Sequence, residues 1–260
     1  MTTIGFIGGG RITAIFLAAW KAKGIPFDRV VVSDPNPEVR ARLKADHPHV
    51  EVVADNQKPA EQQVVFLALH PPVLRAVLLD IAPTLSPHTV VVSLAPVVDF
   101  ITLRTSLNGH LRLARMIPNA PSIIGKGYNP VAYGPGITAL DRDCLEALFS
   151  PLGLFPELPE SQLNAHAILT AMGPTYFWPQ WQTLRDLGHS FGLDPETTDR
   201  GLAAMLHGAV TQLLERDFTF EQVMDTIPVK PLEASQAVIL APYREKLVAL
   251  HEKLTGAVTV

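Results

Sequence analysis

The sequence predicts an α/β protein, in which a doubly wound parallel β-sheet is followed by an all-helical C-terminal region. Apolar runs rich in Val and Ile recur in the first half, separated by stretches of helical periodicity. Three consecutive glycines stand where the first of these runs ends. Strand-like runs stop after about residue 157, and long helical patterns follow. We therefore expect two domains, 1–157 and 158–260.

The strand predictions rest on runs without polar alternation, which are typical of strands buried on both faces. They cover residues 4–7, 30–33, 64–68, 90–94 and 111–116. Between the first two runs, apolar residues fall on one face of a helix that Gly24 and Pro26 end. Further helices are predicted from Pro37 to about residue 47 and over 72–81, 97–107 and 140–149. In the C-terminal region helices are predicted over 163–172, 174–191, 195–216 and 241–254.

Composition narrows the classes of partner. The chain has 260 residues, 47% of them hydrophobic and 18% charged, which excludes extended disorder. Its formal net charge of -4 lacks the basic excess that nucleic acid or an anionic membrane would attract, so we expect a small-molecule partner. The single cysteine, Cys144, excludes an intrachain disulfide, and no signal peptide or membrane span is recognisable. We expect a soluble cytoplasmic protein.

The glycine run has the position and spacing of a dinucleotide-binding turn. Gly8, Gly9 and Gly10 lie between the first strand and the helix that begins near Arg11 and Ile12. Gly8 permits a tight turn, Gly10 lets a diphosphate approach the backbone, and the helix N-terminus offers unpaired N–H groups. With the second strand ending at Asp34, the pattern predicts a Rossmann-type domain that binds NADP or, alternatively, NAD. The third glycine position of the motif holds Thr13.

The choice between the two nucleotides stays open at this point. The carboxylate of Asp34 would accept hydrogen bonds from the adenosine ribose and repel a 2′-phosphate, which favours NAD. Arg11, together with Arg40 and Arg42, can supply positive charge at the same rim, and Ser33 and Asn36 can donate hydrogen bonds to a phosphate. A solvated helix face is the alternative interpretation of the arginines.

Several motifs, in order along most of the chain, resemble those of the pyrroline-5-carboxylate reductase family. They are Gly8–Gly10, Val32-Ser33-Asp34-Pro35-Asn36-Pro37, Ala68-Leu69-His70-Pro71-Pro72, Ser93-Leu94-Ala95, the segment from Arg115 to Gly127 with its Met116-Ile117-Pro118-Asn119-Ala120-Pro121 core, and Gly173-Pro174-Thr175-Tyr176. The resemblance implies an N-terminal dinucleotide-binding domain, similar to that of the F420-dependent oxidoreductases, and a C-terminal helical domain that forms a homodimer. It implies hydride transfer from NAD(P)H to a small cyclic imine held at the domain junction.

Two departures from the family pattern concern the substrate side. Ala171-Met172 stand where the family has a small polar pair, and Ile227-Pro228-Val229-Lys230-Pro231-Leu232 replace its Ser-Pro-Gly-Gly-Thr-Thr loop. The resemblance implies that the family's loop holds the substrate carboxylate. A carboxylate nest needs free N–H groups, and Pro231 removes one of them.

The remaining candidate site residues follow strands or begin helices. Ala68, His70 and Pro71 follow a strand at its carboxyl end, and Asn119 follows another, so we expect them at the cofactor. His70 can contact the nicotinamide ribose or supply a proton; its alternative is to cap the next helix. For Asn119 the alternative is an Asx turn.

Two further candidate catalytic residues lie in the C-terminal helical region. Thr175 can face the substrate from the start of a helix or only begin that helix, and Lys230 can pair with a substrate carboxylate or be solvated. His70 is the third. No metal site is predicted.

The sequence thus predicts an NAD(P)H-dependent oxidoreductase that reduces an imine or, alternatively, a ketone. A ketone needs a proton donor, and no obvious Lys/Asp or Ser/Tyr/Lys constellation is present. An iminium carries its own proton and needs no strong general acid, so the imine is favoured. A nucleotide-binding sensor or partner protein without turnover is the alternative from another class. A deazaflavin-linked reductase with the same glycine turn is a third possibility.

Overall fold

The computed structural model describes residues 2–256, without the side chains of Pro71 and Pro72. Nine strands form: β1 Thr3–Ile7, β2 Arg29–Ser33, β3 Glu51–Val53, β4 Val64–Leu67, β5 Val90–Ser93, β6 Leu113–Met116, β7 Gly127–Tyr128, β8 Val131–Tyr133 and β9 Gly153–Leu154. The helices are α1 Arg11–Ala22, α2 Pro37–Asp46, α3 Gln57–Ala60, α4 Pro71–Ile81, α5 Phe100–Ser106, α6 Ala139–Phe149, α7 Leu163–His166, α8 Pro174–Ser190, α9 Pro195–Leu214, α10 Phe220–Asp225 and α11 Gln236–Gly256. One π-helical turn, Ala167–Ala171, separates α7 from α8.

The main sheet has seven strands in the order β3-β2-β1-β4-β5-β6-β8. All pairs from β3 to β6 are parallel, and only the edge strand β8 runs antiparallel to β6. The doubly wound parallel sheet predicted from the sequence is therefore confirmed, with an antiparallel edge added. The three residues of β8 are too few to show as a separate strand pattern.

Helices cover both faces of the sheet. On one face, alternate residues of the central strands pack with α1 and α6 around Phe6, Phe16, Trp20 and Phe66. On the other, Ile7 and the residues of β4 and β5 that point the opposite way pack with α4 and α5. Because both faces are buried, the central strands need apolar side chains at most positions, which explains the runs in the sequence.

The chain divides into two compact units, one of residues up to Met172 together with those from Leu250, the other Gly173–Ala249. The sequence predicts the boundary at 157/158, before the 160–172 segment. That segment stays with the sheet because Leu163 and Ile168 are buried there and Glu160 accepts hydrogen bonds from Arg115 and from the Phe100 amide. The last turn of α11 belongs there too, since Asn164 donates to a carbonyl in it.

The second unit consists of α8, α9, α10, the first part of α11 and the segments that join them. Only Gly173, Gly188 and Thr198 are buried within it. No described helix combines the length and apolar character needed to span a membrane.

The carboxylate of Asp141 stabilises the edge of the sheet unit. It pairs with Arg112 and completes a capping box with Thr138 at the start of α6. Burial alone would raise the pKa of the Asp141 carboxyl, but the hydrogen bonds from Arg112 and Thr138 outweigh it and hold that pKa below its usual value.

We expect Asp141→Asn to lower the free energy of unfolding at pH 7 by about 1–3 kcal/mol, because Arg112 loses its ionic partner. Since the folded-state pKa is depressed, this stabilisation is complete above the unfolded pKa and disappears as the pH falls through the folded pKa. Urea unfolding of both proteins should therefore converge at acid pH. Asp143→Asn, on an exposed site of the same helix, is the control. A difference between Asp141→Asn and the parent chain that does not change with pH would contradict this account.

Candidate active site

The sheet order places a topological switch point between β1 and β4. From β1 the chain proceeds to β2 and β3 on one side and then returns to β4, β5 and β6 on the other. Loops that leave the carboxyl ends of β1 and β4 therefore diverge and open a crevice, the position at which open α/β sheets bind ligands. The residues that follow these strands form the candidate site.

Gly8 makes the turn from β1 possible. Its φ of 103° is in the region that favours glycine, and a Cβ there would lie 2.4 Å from the Ala68 carbonyl oxygen. The Gly8 amide donates to the Ser33 carbonyl at 2.9 Å, and the Ala68 amide donates to the Ile7 carbonyl at 2.9 Å. The turn thus depends on a glycine and ties the ends of β1, β2 and β4 together.

Thr13 explains why the third glycine of the motif is dispensable. Its side chain is fully buried, and its hydroxyl donates to the Gly8 carbonyl at 2.6 Å. The hydroxyl therefore satisfies a buried carbonyl of the turn, and the extra volume is accommodated between α1 and the sheet.

Gly10 presents an open face at the start of α1. A Cβ built on it would meet no atom within 4 Å, and Gly10 is the residue that precedes the helix, with no side chain to cap it. The first turn of α1, which includes Arg11 and Ile12, contains no acidic residue. The first N–H groups of a helix lack partners within it and carry partial positive charge, so these residues fit a diphosphate.

Asp34 lies beside this turn at the end of β2. The Gly9 amide donates to its Oδ2 at 2.9 Å, and the Asn36 amide donates to its Oδ1 at 2.9 Å. Arg40 directs Nη1 at the carbonyl oxygens of Asp34 and Pro35, both at 2.8 Å. The carboxylate is thereby fixed, half-buried, next to the open face of Gly10.

The Ser33 side chain does not lie where a direct contact with the cofactor would need it. Its side chain has no exposed surface, and its hydroxyl donates to Asn56 Oδ1 at 2.8 Å. The hydroxyl therefore stabilises the base of the site between β2 and α3 and does not reach its rim. The residue type alone could not show which way the side chain points.

The loop from β4 to α4 carries Ala68 and His70 at the carboxyl edge. Ala68 is half-buried, and His70 is exposed and stands immediately before α4. His70 makes no side-chain cap to α4, so the alternative predicted for it is not observed. Pro71 begins α4, but its side chain lies outside the described residues.

Asn119 connects two segments near the end of β6. Its Oδ1 accepts from the Tyr128 amide at 3.1 Å, and its Nδ2 donates to the Thr170 carbonyl at 3.3 Å, within the π-helical turn. Asn119 is 8% exposed. Neither bond is the Asx turn considered from the sequence. The side chain holds the π-helical turn against the sheet unit, and a contact with the cofactor stays a prediction.

Arg115 is a buried charge that the sequence analysis missed. It lies in the middle of β6, is 2% exposed, and pairs through Nη1 with Glu160 Oε1 at 2.7 Å. Its Nη2 donates to the Pro96 carbonyl, and the same Glu160 oxygen accepts from the Phe100 amide at 2.7 Å. The pair therefore fixes the loop that leaves β5. An arginine inside an apolar strand was the available signal.

The second unit contains Thr175, Tyr176 and Lys230. Thr175 is exposed in the first turn of α8, and Lys230 is half-buried in the segment that precedes α11. Burial raises the pKa of Tyr176, as does the neighbouring Tyr243, whose hydroxyl donates to the Tyr176 carbonyl at 3.2 Å. Within the 227–232 segment Ile227, Val229 and Leu232 are strongly exposed.

Residues 3–96 match the family model described as NADP oxidoreductase, coenzyme F420-dependent. Among curated proteins, the chain is 29% identical over 216 residues to pyrroline-5-carboxylate reductase of Pseudomonas aeruginosa. The alignment covers 82% of this chain and 79% of that protein. It is 28% identical over 249 residues to the enzyme of the same name from Mycobacterium leprae, covering 94% of this chain and 83% of that protein.

Solved structures agree on the fold. Pyrroline carboxylate reductase of Plasmodium falciparum, solved with NADP bound, has a TM-score of 0.79 at 19% identity and covers 99% of this chain and 98% of that one. Pyrroline-5-carboxylate reductase of Streptococcus pyogenes has a TM-score of 0.75 at 17% identity, covering 100% and 99%. The resemblance predicted from the sequence is therefore confirmed: the chain is similar along most of its length to pyrroline-5-carboxylate reductases, and its residues 3–96 match the model of NADP oxidoreductases, coenzyme F420-dependent.

Proposed function

We propose that this protein is an NAD(P)H-dependent oxidoreductase that reduces the C=N bond of a small cyclic imine. The observation that carries the proposal is the corner at Gly8–Gly10, where an unobstructed backbone and a helix N-terminus face the crevice of the sheet. The names of the relatives support the chemistry, because those proteins are reductases of pyrroline-5-carboxylate.

The chain's own residues mainly bind and orient the dinucleotide and the substrate. The first amides of α1 would hold the diphosphate, and the Asp34 carboxylate would accept hydrogen bonds from the adenosine ribose. When bound, the dinucleotide supplies the hydride. The iminium carbon accepts that hydride and the nitrogen keeps its proton, so the product is the amine.

We assign proposed roles to three side chains, one in the sheet unit and two in the second unit. His70, exposed at the carboxyl edge, contacts the nicotinamide ribose or delivers a proton. Thr175 presents its hydroxyl from the first turn of α8, and Lys230 pairs with a substrate carboxylate in place of a glycine-rich nest.

A nucleotide-binding protein without turnover is a second candidate. It is favoured by the apolar character of Ile227, Val229 and Leu232, which leaves Lys230 as the one polar side chain that the segment offers to a substrate. The two candidates share the nucleotide site and differ only in the oxidation of the cofactor, so a kinetic assay separates them.

We further propose that the second unit dimerises with a second copy of this chain. Its helices leave large apolar side chains uncovered, among them Trp178, Val210 and Leu214, and a groove of about 610 Å³ runs between α8 and α9. A unit with three buried residues has too small a core to be stable with such surfaces in water. A second copy carries the same apolar helices and can bury them symmetrically.

We also propose that the protein is cytoplasmic. This is supported by its single cysteine, Cys144, which forms no disulfide.

Gly10→Ala tests the nucleotide corner. The added methyl group meets no protein atom, so we expect an unchanged melting temperature, but it occupies the approach of the diphosphate and should weaken NAD(P)H binding about tenfold or more. Fluorescence titration measures the affinity. Gly8→Ala is the contrasting variant and should destabilise the fold, because its methyl group meets the Ala68 carbonyl. Unchanged binding by Gly10→Ala would refute the assignment of the diphosphate.

A substrate panel tests the reductase. With cyclic imines that carry a carboxylate, imines that lack it, and ketones, we expect oxidation of the cofactor, followed at 340 nm, with an imine at a rate of order 1 s⁻¹. If Lys230 pairs with a carboxylate, Lys230→Met raises KM about tenfold for the acidic imine alone, whereas Lys44→Met on exposed α2 leaves it unchanged. Cofactor binding without oxidation of any compound would favour the second candidate.

Sedimentation velocity tests the dimer. We expect the parent chain to have twice its 28.3 kDa mass. Val210→Glu introduces a charge into the largely apolar groove and should give monomers or unfolded chains, because burying the carboxylate at an interface costs free energy. Leu140→Glu, at a residue 80% exposed in the sheet unit, is the control and should remain dimeric. A monomeric parent chain would contradict the proposal.

A further inference from the structure

The carboxylate of Asp34 is held in a fixed position by the same turn that is open to the diphosphate. Its two oxygens accept from the amides of Gly9 and Asn36, both at 2.9 Å. Gly9 is the direct neighbour of Gly10, whose open face marks the approach of the ligand. A ligand lying along Gly10 would therefore extend past a negative charge that two backbone amides orient.

The positive groups at this rim do not neutralise that charge. Arg40, the arginine nearest in sequence on α2, uses Nη1 for the carbonyl oxygens of Asp34 and Pro35, both at 2.8 Å. Over residues 2–256, no lysine or arginine forms an ion pair with the Asp34 carboxylate. Arg11 and Arg42 are exposed.

Among the polar side chains beside Asp34, the Ser33 hydroxyl has an internal acceptor and Asn36 is engaged through its oxygen, so that only the Asn36 amide nitrogen remains as a donor. The Ser33 hydroxyl is buried and donates to Asn56, so it cannot donate to a phosphate at the rim. Asn36 Oδ1 accepts from the Glu38 amide and caps α2. Two of the groups that the sequence offers to a 2′-phosphate therefore have other partners. The Ser33 hydroxyl donates to Asn56, and Arg40 donates to backbone carbonyls.

We infer that Asp34 makes the site selective for NADH over NADPH. This inference rests on the proposed function and narrows its cofactor. The free 2′-hydroxyl and 3′-hydroxyl of NADH can donate to a carboxylate, whereas the 2′-phosphate of NADPH places a dianion beside it. Two like charges within a few ångströms at a partly buried site repel, and salt screens that repulsion only partly.

The test measures dissociation constants of NADH and NADPH for the full-length protein by fluorescence titration and calorimetry at two salt concentrations. We expect NADPH to bind at least about tenfold more weakly than NADH, with the ratio narrowing at high salt because the repulsion is screened. In Asp34→Asn the charge is gone, so NADPH should bind more tightly, NADH more weakly, and the ratio should fall below about threefold.

Two further variants locate the effect. Glu38→Gln removes an exposed carboxylate from the first turn of α2 and should leave the ratio unchanged. Arg40→Met should change the affinities of both nucleotides by the same factor, because Arg40 acts on the backbone of the turn. A selective loss of NADPH binding in Arg40→Met would show that Arg40 holds a 2′-phosphate and would overturn the inference.

The outcomes separate the inference from the proposed function. If the parent protein binds NADPH as tightly as NADH, or if Asp34→Asn folds and keeps the parent ratio, the selectivity inference is wrong while the reductase assignment stands. If neither dinucleotide binds the parent protein, the proposed function is wrong and the inference falls with it. The parent ratio and its salt dependence do not depend on whether Asp34→Asn folds.

Discussion

The whole site depends on the left-handed turn at Gly8. Glycine is needed there because φ is 103° and a Cβ would lie 2.4 Å from the Ala68 carbonyl oxygen. With glycine in place, the chain leaves β1 and begins α1 within three residues. Gly9 then donates to Asp34, and the Thr13 hydroxyl donates back to Gly8. One backbone conformation thus fixes the helix N-terminus, the carboxylate and the crevice together.

The core beneath the turn keeps α1 in place. Phe6 of β1 stacks on Phe66 of β4 with ring centroids 4.7 Å apart, and Phe16 and Trp20 of α1 pack against both. The Trp20 indole donates to the Leu148 carbonyl at 2.8 Å, which connects α1 to α6. Aromatic contacts of this kind add about 0.5–1.5 kcal/mol each beyond area burial, so a rigid aromatic cluster orients the anion-binding end of α1.

Much of the sheet unit could be predicted from the sequence, because strands buried on both faces require continuous apolar runs and a glycine turn has few alternatives. The details that escaped prediction are those set by tertiary contacts. The burial of Ser33 and the hydrogen bonds of Asn119 to Tyr128 and Thr170 depend on neighbours distant in the sequence. The first compact unit extends to Met172, past the boundary at 157 expected from the sequence, because Glu160 pairs with Arg115 inside β6.

The most direct measurement of the central claim is an amide chemical-shift map of the ¹⁵N-labelled protein during titration with NADH. The account predicts that the largest shifts fall on the amides of Gly9, Gly10, Arg11 and Ile12. The last three would donate to the diphosphate, and the Gly9 amide would shift because its acceptor, Asp34, receives the ribose hydroxyls. Saturable shifts confined to the second unit, with these four amides unmoved, would contradict it.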